Sequence, residues 1–198
     1  MSNGLFVAFV VFAVATLFTP GPNNVMLMTS GVNYGFRRTL PHVLGVDAGF
    51  GFLVLVVGIG LGAIFAAVPA LYTVLKFVAT AYLLYLAWKI ANAGPVEEGG
   101  TGRPFSFLQA AAFQWVNPKG WIMAVGAVTT YAAIATFPVN IVLMVVVFVG
   151  FGLISSLTWL LFGTGLRAVV TDPNSVRIFN ISMAVLLAAS LIPVLFEG

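Results

Sequence analysis

Leu5 to Thr29 reads LFVAFVVFAVATLFTPGPNNVMLMT, a run without a single charged residue. At ~1.5 Å per helical residue it is long enough to cross a hydrocarbon core of ~30 Å. No water reaches the backbone inside lipid, so a continuous apolar run whose polarity does not alternate reads as a helix rather than as a strand of a β-barrel. The same run contains Pro20, Gly21 and Pro22. Two prolines remove two backbone donors and Gly21 relaxes the chain between them, so this helix must break or kink within the membrane.

Five more runs of this kind follow, at about Val43 to Val68, Leu71 to Ile90, Phe105 to Thr130, Val139 to Phe162 and Val176 to Leu195. The expected fold is all-α, a polytopic membrane protein whose six transmembrane helices fill residues 1–198 as one transmembrane domain. Composition agrees, because 61% of the 198 residues are hydrophobic and 7% charged, against roughly a quarter charged in a typical soluble domain. A pI of about 9.5 could suggest nucleic acid. The net charge is only +3, however, and the basic residues lie in short connections, so no nucleic-acid partner is expected. Cysteine is absent, which excludes disulfides, thiolate metal sites and cysteine nucleophiles. Met1-Ser2-Asn3-Gly4 lacks the positive region of a cleaved signal peptide, and the first apolar run is expected to be retained.

The connections are read at Asn33 to Pro41, a tight turn at Pro69, Ala91 to Pro104, a short turn before Pro138, and Thr164 to Ser175. The third, with Gly94-Pro95, Glu97-Glu98-Gly99-Gly100 and Arg103-Pro104, divides the chain into halves at about 5–92 and about 105–196, with a loop at about 93–104. Connections one, three and five hold Arg37, Arg38, Lys89, Arg103, Arg167 and Arg177, while the others and both termini hold no Lys or Arg. By the positive-inside rule those three are cytoplasmic and both termini lie outside. Lys76 and Lys119 fall inside spans. Three spans per half is an odd number, so the second half enters the membrane in the opposite orientation, the arithmetic of inverted three-helix repeats. Pro20 and Pro118 each interrupt the first helix of a half, and Gly49-Phe50-Gly51 recurs as Gly150-Phe151-Gly152. Broken helices at matching positions point to a transporter site near the bilayer midplane.

At the first break, freed carbonyls and the N-terminus of the second half-helix would face a ligand, with Thr19, Asn23 and Asn24 as neutral hydrogen-bonding side chains. A kink satisfied by neighbouring helices is the other reading. In the fourth run Gln114, Asn117 and Trp121 follow i, i+3, i+7 spacing and share a face around Pro118. Lys119 either is a charge within the apolar body or snorkels to an interface, and it could pair with Asp47 or hold a substrate carboxylate. Asp47 is the only acid in a span, where a carboxylate costs ~2.5–3.5 kcal/mol on insertion scales. Asp47, Gly51, Gly58 and Gly62 align on one helix face, which directs the acid at packed neighbours. There it could carry a proton or meet a substrate amine, unless it lies close enough to the cytoplasmic surface to be hydrated. His42 is alone and cannot form a metal site, so no metal is expected. Ser155, Ser156, Thr158, Trp159 and Asn180 divide evenly between structural and ligand roles. Arg37 and Arg38 read as topology determinants, and Met26, Met28, Met123 and Met144 as packing.

Taken together these residues resemble the LysE family of amino-acid exporters, also called the RhtB family, over essentially the whole chain. The resemblance rests on Pro20-Gly21-Pro22 followed by Gly35-Phe36-Arg37, Gly45 to Gly49, Tyr82-Leu83 with Trp88-Lys89, and Asn117-Pro118-Lys119. Family members usually carry an acid just after the triplet, where this chain has Asn23, and a glycine before the Tyr-Leu pair, where it has Ala79-Thr80-Ala81. The string Thr19-Pro20-Gly21-Pro22-Asn23-Asn24 and the phrase Ala87-Trp88-Lys89-Ile90-Ala91 are similar to the branch that exports cysteine and O-acetylserine.

The resemblance implies a multi-pass transporter of the inner membrane that exports small neutral or zwitterionic amino acids or derivatives, of the cysteine/O-acetylserine or homoserine/threonine kind, as a proton antiporter. The expected substrate site comprises Thr19, Pro20, Gly21, Pro22, Asn23, Asn24, Gln114, Asn117, Pro118 and Lys119, with Asp47 coupling protons. An amide in place of the acid removes a partner for a cationic side chain, which makes export of basic amino acids the weaker alternative. An ion or small-solute channel is another. No enzyme is expected, because Asp47 has no second acid at membrane depth, there is no histidine set, and no nucleotide-binding loop or cofactor motif is present. The expected partners are the lipid bilayer, a small amino acid, protons and, from the glycine-rich faces, a second copy of the chain in a homodimer.

Overall fold

The computed structural model describes residues 3–61, 67–93 and 102–192. Eight α-helices form among them: α1 (Asn3–Phe18), α2 (Pro22–Tyr34), α3 (Phe36–Val56), α4 (Pro69–Ala91), α5 (Phe107–Phe113), α6 (Pro118–Thr130), α7 (Val139–Leu166) and α8 (Pro173–Ala189). Proline opens α2, α4, α6 and α8 at or next to the first position. There its missing N–H would have had no partner and its fixed φ suits the helix. The all-α expectation holds. The glutamates and glycines at 97–100 and Gly62 lie outside the described residues.

The first run divides as Pro20 and Pro22 demand, with α1 and α2 bent by 47°. The fourth divides as α5, a 3-10 turn at Gln114–Val116 and α6. α2 and α6 are each 13 residues long and open on Pro22 and Pro118 respectively.

Two connections are shorter than expected. The loop read at Asn33 to Pro41 is a one-residue joint at Gly35, whose φ of +77° glycine adopts without strain. Pro41 lies inside α3. The helical bond it removes would have gone to the carbonyl of Arg37, an exposed residue, so the break a proline usually causes does not follow. The fifth connection shrinks to 167–172 because α7 continues to Leu166 and Asp172 caps α8 from its side chain.

α3 with its π turn at Val57–Leu61, the Thr73–Ala91 part of α4, and α7 are each long and apolar enough to cross a membrane, and the α1–α2 pair makes a fourth when taken as one span. Large apolar side chains such as Val11, Phe52, Phe77 and Val146 project from the surface, an outer face suited to hydrocarbon.

α7 is the central post, packed by α1, α2 and α3, while α5 lies on α3 and α4 lies on α8. Asp47 and Gly51 of α3, with Gly58 of the π turn, meet Gly152, Val149 and Ile141 of α7. That glycine face is therefore used within the chain, and the homodimer expectation loses the support drawn from it. One core gathers Phe9, Phe50, Phe148, Trp121, Met123 and Met144, with Phe148 set edge-on to Phe9 at 5.3 Å and to Phe50 at 5.2 Å. A second gathers Val25, Met26, Met28, Leu83, Phe113 and Met183. The methionines expected to pack do so. Trp121, expected to share a face with Gln114 and Asn117, is instead in the apolar core, because the 3-10 turn at Gln114–Val116 and the extended Asn117 interrupt the helical spacing.

At one end of the molecule Arg38 Nη2 donates to the Gly102 carbonyl at 3.2 Å, and the Arg167 guanidinium lies against Gly35. Connections one, three and five thus meet at the same end.

Candidate functional site

The end of α1 is held by side chains from three directions. Asn24 Nδ2 donates to the carbonyls of Leu17 and Thr19, both at 2.9 Å. Ser155 Oγ donates to Leu17 O at 2.9 Å. Lys119 Nζ donates to Thr19 O at 2.7 Å and Thr19 Oγ1 at 2.9 Å, with Pro20 O at 3.5 Å. The carbonyls expected to face a ligand are thus engaged by the protein itself. Lys119 belongs to α6, so this contact ties the second break to the first.

A buried amide network joins the same two regions. Asn23 Nδ2 donates to Gln114 Oε1 at 2.9 Å, and Gln114 Nε2 donates back to Asn23 Oδ1 at 3.1 Å. Gln114 Nε2 also donates to Ala110 O at 2.9 Å, and its Oε1 accepts from Asn117 Nδ2 at 3.4 Å. Gln114 is fully buried and its hydrogen-bonding capacity is met, whereas Asn117 Oδ1, also buried, has no partner among the described residues.

Asp47 is buried, only 7% exposed, so the reading in which it is merely hydrated does not describe this conformation. Its Oδ1 accepts from Ser156 Oγ at 3.3 Å, and Oδ2 has no partner among the described residues. Gly152 permits this placement, since a Cβ there would stand 2.7 Å from Asp47 Oδ1. Lys119 turns to the end of α1, and no ion pair joins it to Asp47 among the described residues.

Asp47, Lys119, Asn23, Asn24, Asn117 and Ser155 line one cavity, with Gly21, Phe50, Met123 and Gly152 among its walls. Its volume is about 40 Å³, room for a few waters at ~10–15 Å³ each. The N-termini of α2 and α6 both border it, and neither carries a side-chain cap. First-turn N–H groups and the helix dipoles therefore favour negative charge at this cavity.

The profile of the family described as LysE type translocator matches residues 14–192. The chain belongs to the LysE-type translocator family. Curated relatives of this translocator include the cysteine/O-acetylserine efflux proteins of Escherichia coli (strain K12) and Shigella sonnei (strain Ss046). Each is 32% identical to it over 165 residues, which cover 82% of this chain and 84% of the relative. No solved structure matches it. The LysE family is one of multi-pass membrane translocators and not of enzymes.

Within this LysE-type translocator, Gly21, Asn23, Asn24, Asn117, Lys119 and Asp47 of the expected site come together on the cavity wall. Thr19 and Pro20 stand one layer back, as acceptors for Lys119. Gln114 supports Asn23 from behind, and Pro22 and Pro118 open the half-helices. Ser155 and Ser156 take definite places at the cavity, and Phe50 and Met123 complete its wall, apolar residues whose type carries no chemical signal in the sequence. The recurrence of Gly49-Phe50-Gly51 as Gly150-Phe151-Gly152 was the one signal near Phe50 and Gly152.

Proposed function

We propose that this LysE-type translocator is a secondary exporter of small neutral or zwitterionic amino acids or their derivatives, exchanging them for protons. Its six spans form two inverted three-helix repeats in one transmembrane domain of the inner membrane. The observation that carries this reading is that Asp47, with one carboxylate oxygen unpartnered, and Lys119 border a single cavity between two uncapped half-helix N-termini.

A zwitterion has a complement there. Its carboxylate suits the N-termini of α2 and α6 and the Lys119 ammonium. Its ammonium suits Asp47 Oδ2 and Asn117 Oδ1. A proton and the substrate ammonium compete for the same carboxylate, so protonation of Asp47 from outside displaces the substrate, and loss of that proton inside restores the site. Exchange follows from that competition, with alternating access around the two breaks.

The equal lengths of α2 and α6, each opened by proline, support the repeat arrangement. The convergence of Arg38 and Arg167 at one end supports a cytoplasmic assignment for that end, with both termini outside. The relatives named for cysteine and O-acetylserine efflux support small neutral substrates. Asn23 is uncharged and engaged by Gln114, which disfavours basic amino acids.

The test is uptake of labelled O-acetylserine, cysteine, homoserine and threonine into everted vesicles with an imposed acid-inside gradient. Saturable, gradient-driven uptake that is lost in Asp47→Asn is expected. Linear, unsaturable flux would instead favour a channel and contradict the proposal.

A further inference from the structure

A second cavity lies at the other end of α2, bounded by α3, α4 and the segment from Arg103 to Phe105. At about 110 Å³ by the same measure it is larger than the first. The ten residues from Asn23 to Asn33 place the two cavities roughly 15 Å apart along α2.

Two buried polar atoms of its lining have no partner among the described residues, Asn33 Oδ1 and His42 Nε2. The orientation of the Asn33 amide is set by its other end, because Nδ2 donates to Thr29 O at 2.9 Å and to Asn180 Oδ1 at 3.0 Å. Asn180 is itself anchored by donation to Ala93 O at 3.0 Å. The oxygen of Asn33 is thus a fixed acceptor awaiting a donor. His42 is 1% exposed, with Nδ1 at 3.3 Å from Ser30 Oγ, so Nε2 donates or accepts according to the tautomer. Buried atoms left unmet are unfavourable and ordinarily find a protein or ligand partner. Lys89 and Arg103, both exposed, also line this cavity.

Fixed acceptor within and cations beside it is the complement of an amino acid: ammonium on Asn33 Oδ1, carboxylate toward Lys89 and Arg103. We propose that this cavity is a cytoplasmic loading subsite that holds the transported zwitterion before it reaches the first cavity. The inference rests on the transport reading above. It gives Lys89 and Arg103 a part in capture beyond setting topology, and it makes α2 the wall shared by both stations.

The chain has no native cysteine, so one introduced thiol reports on each cavity without background. Thr29→Cys lines the second cavity and Met123→Cys the first. Each is labelled with a small maleimide in phosphatidylcholine vesicles, with and without O-acetylserine, and again with phosphatidylglycerol in the vesicles. O-acetylserine is expected to slow labelling at both positions. Adding Lys89→Gln and Arg103→Gln, at exposed positions that the fold tolerates, is expected to abolish protection of Thr29→Cys and to leave that of Met123→Cys at saturating ligand. Protection at Met123→Cys alone overturns the loading subsite and keeps the transport reading. Protection at Thr29→Cys alone counts against the transport site itself. Protection of Thr29→Cys by phosphatidylglycerol and not by O-acetylserine overturns the proposal in favour of a lipid headgroup.

Discussion

Asn23 and Gln114, 91 residues apart, hydrogen-bond to each other in both directions, at 2.9 and 3.1 Å. One side chain belongs to the first turn of α2 and the other to the 3-10 turn before α6, so the pair fastens the two breaks together. Asn23→Leu leaves the buried Gln114 amide half met, a loss of ~1–3 kcal/mol. Thermal unfolding in detergent should show a lower Tm for Asn23→Leu and for Gln114→Leu. The double variant should be more stable than the two losses summed, with a coupling of ~0.5–3 kcal/mol.

Lys119→Met separates transport from stability. Thr19 O keeps its bond from Asn24 when Lys119 is lost, so the Tm should change little while substrate flux falls ~10- to 100-fold, the worth of a charged hydrogen bond. Adding Asn24→Leu removes the last donor to Thr19 O. The double variant should show a lower Tm than either single variant, read by the same melts.

Two glycines of α7 should respond oppositely to the same change. A Cβ at Gly152 would meet Asp47 Oδ1 at 2.7 Å, whereas a Cβ at Gly150 has nothing within 4 Å. Gly152→Ala should raise KM and cost ~1–3 kcal/mol by overpacking. Gly150→Ala should transport normally and gain up to ~1 kcal/mol from helix propensity. Flux against substrate concentration, with melts on the same preparations, checks both.

Asp172 gives a pH dependence that stands outside the spans. Hydrogen bonds from Ser175, with the Asn174 N–H adding to them, hold its carboxyl below the usual carboxylate range. A depressed folded value means that the cap contributes fully above the ordinary value of 3.8 and is lost as pH falls through the folded one. Asp172→Ala should therefore lower the Tm at neutral pH. The gap to the native chain should close in melts taken at progressively more acid pH.

What could be read from the sequence follows the range of each interaction. Pro20, Pro22 and Pro118 signal breaks because a missing N–H acts locally, whatever surrounds it. Asp47 and Gly51 share a face because α3 is unbroken between them and a regular helix preserves spacing, while Gly58 lies in the π turn beyond it and still faces α7. The same argument does not extend to Trp121, because the 3-10 turn at Gln114–Val116 and the extended Asn117 interrupt its helix. Gly35 and Pro41 looked like a loop, yet one torsion at Gly35 and an exposed Arg37 carbonyl let two helices abut. Contacts such as Ser155 to the Leu17 carbonyl, 138 residues away, leave no local signature. The second cavity was hidden for the same reason, since Asn33, His42, Lys89 and Arg103 come from four separate segments.

The account is tested most directly by proton movement in proteoliposomes. Purified chain is reconstituted with a pH-sensitive dye inside, and labelled O-acetylserine exchange and proton flux are recorded together. The native protein should move protons opposite to substrate, and Asp47→Asn, which lacks both the proton acceptor and the partner of the substrate ammonium, should move neither. Proton flux still coupled to substrate in Asp47→Asn would contradict the central role given to that carboxylate.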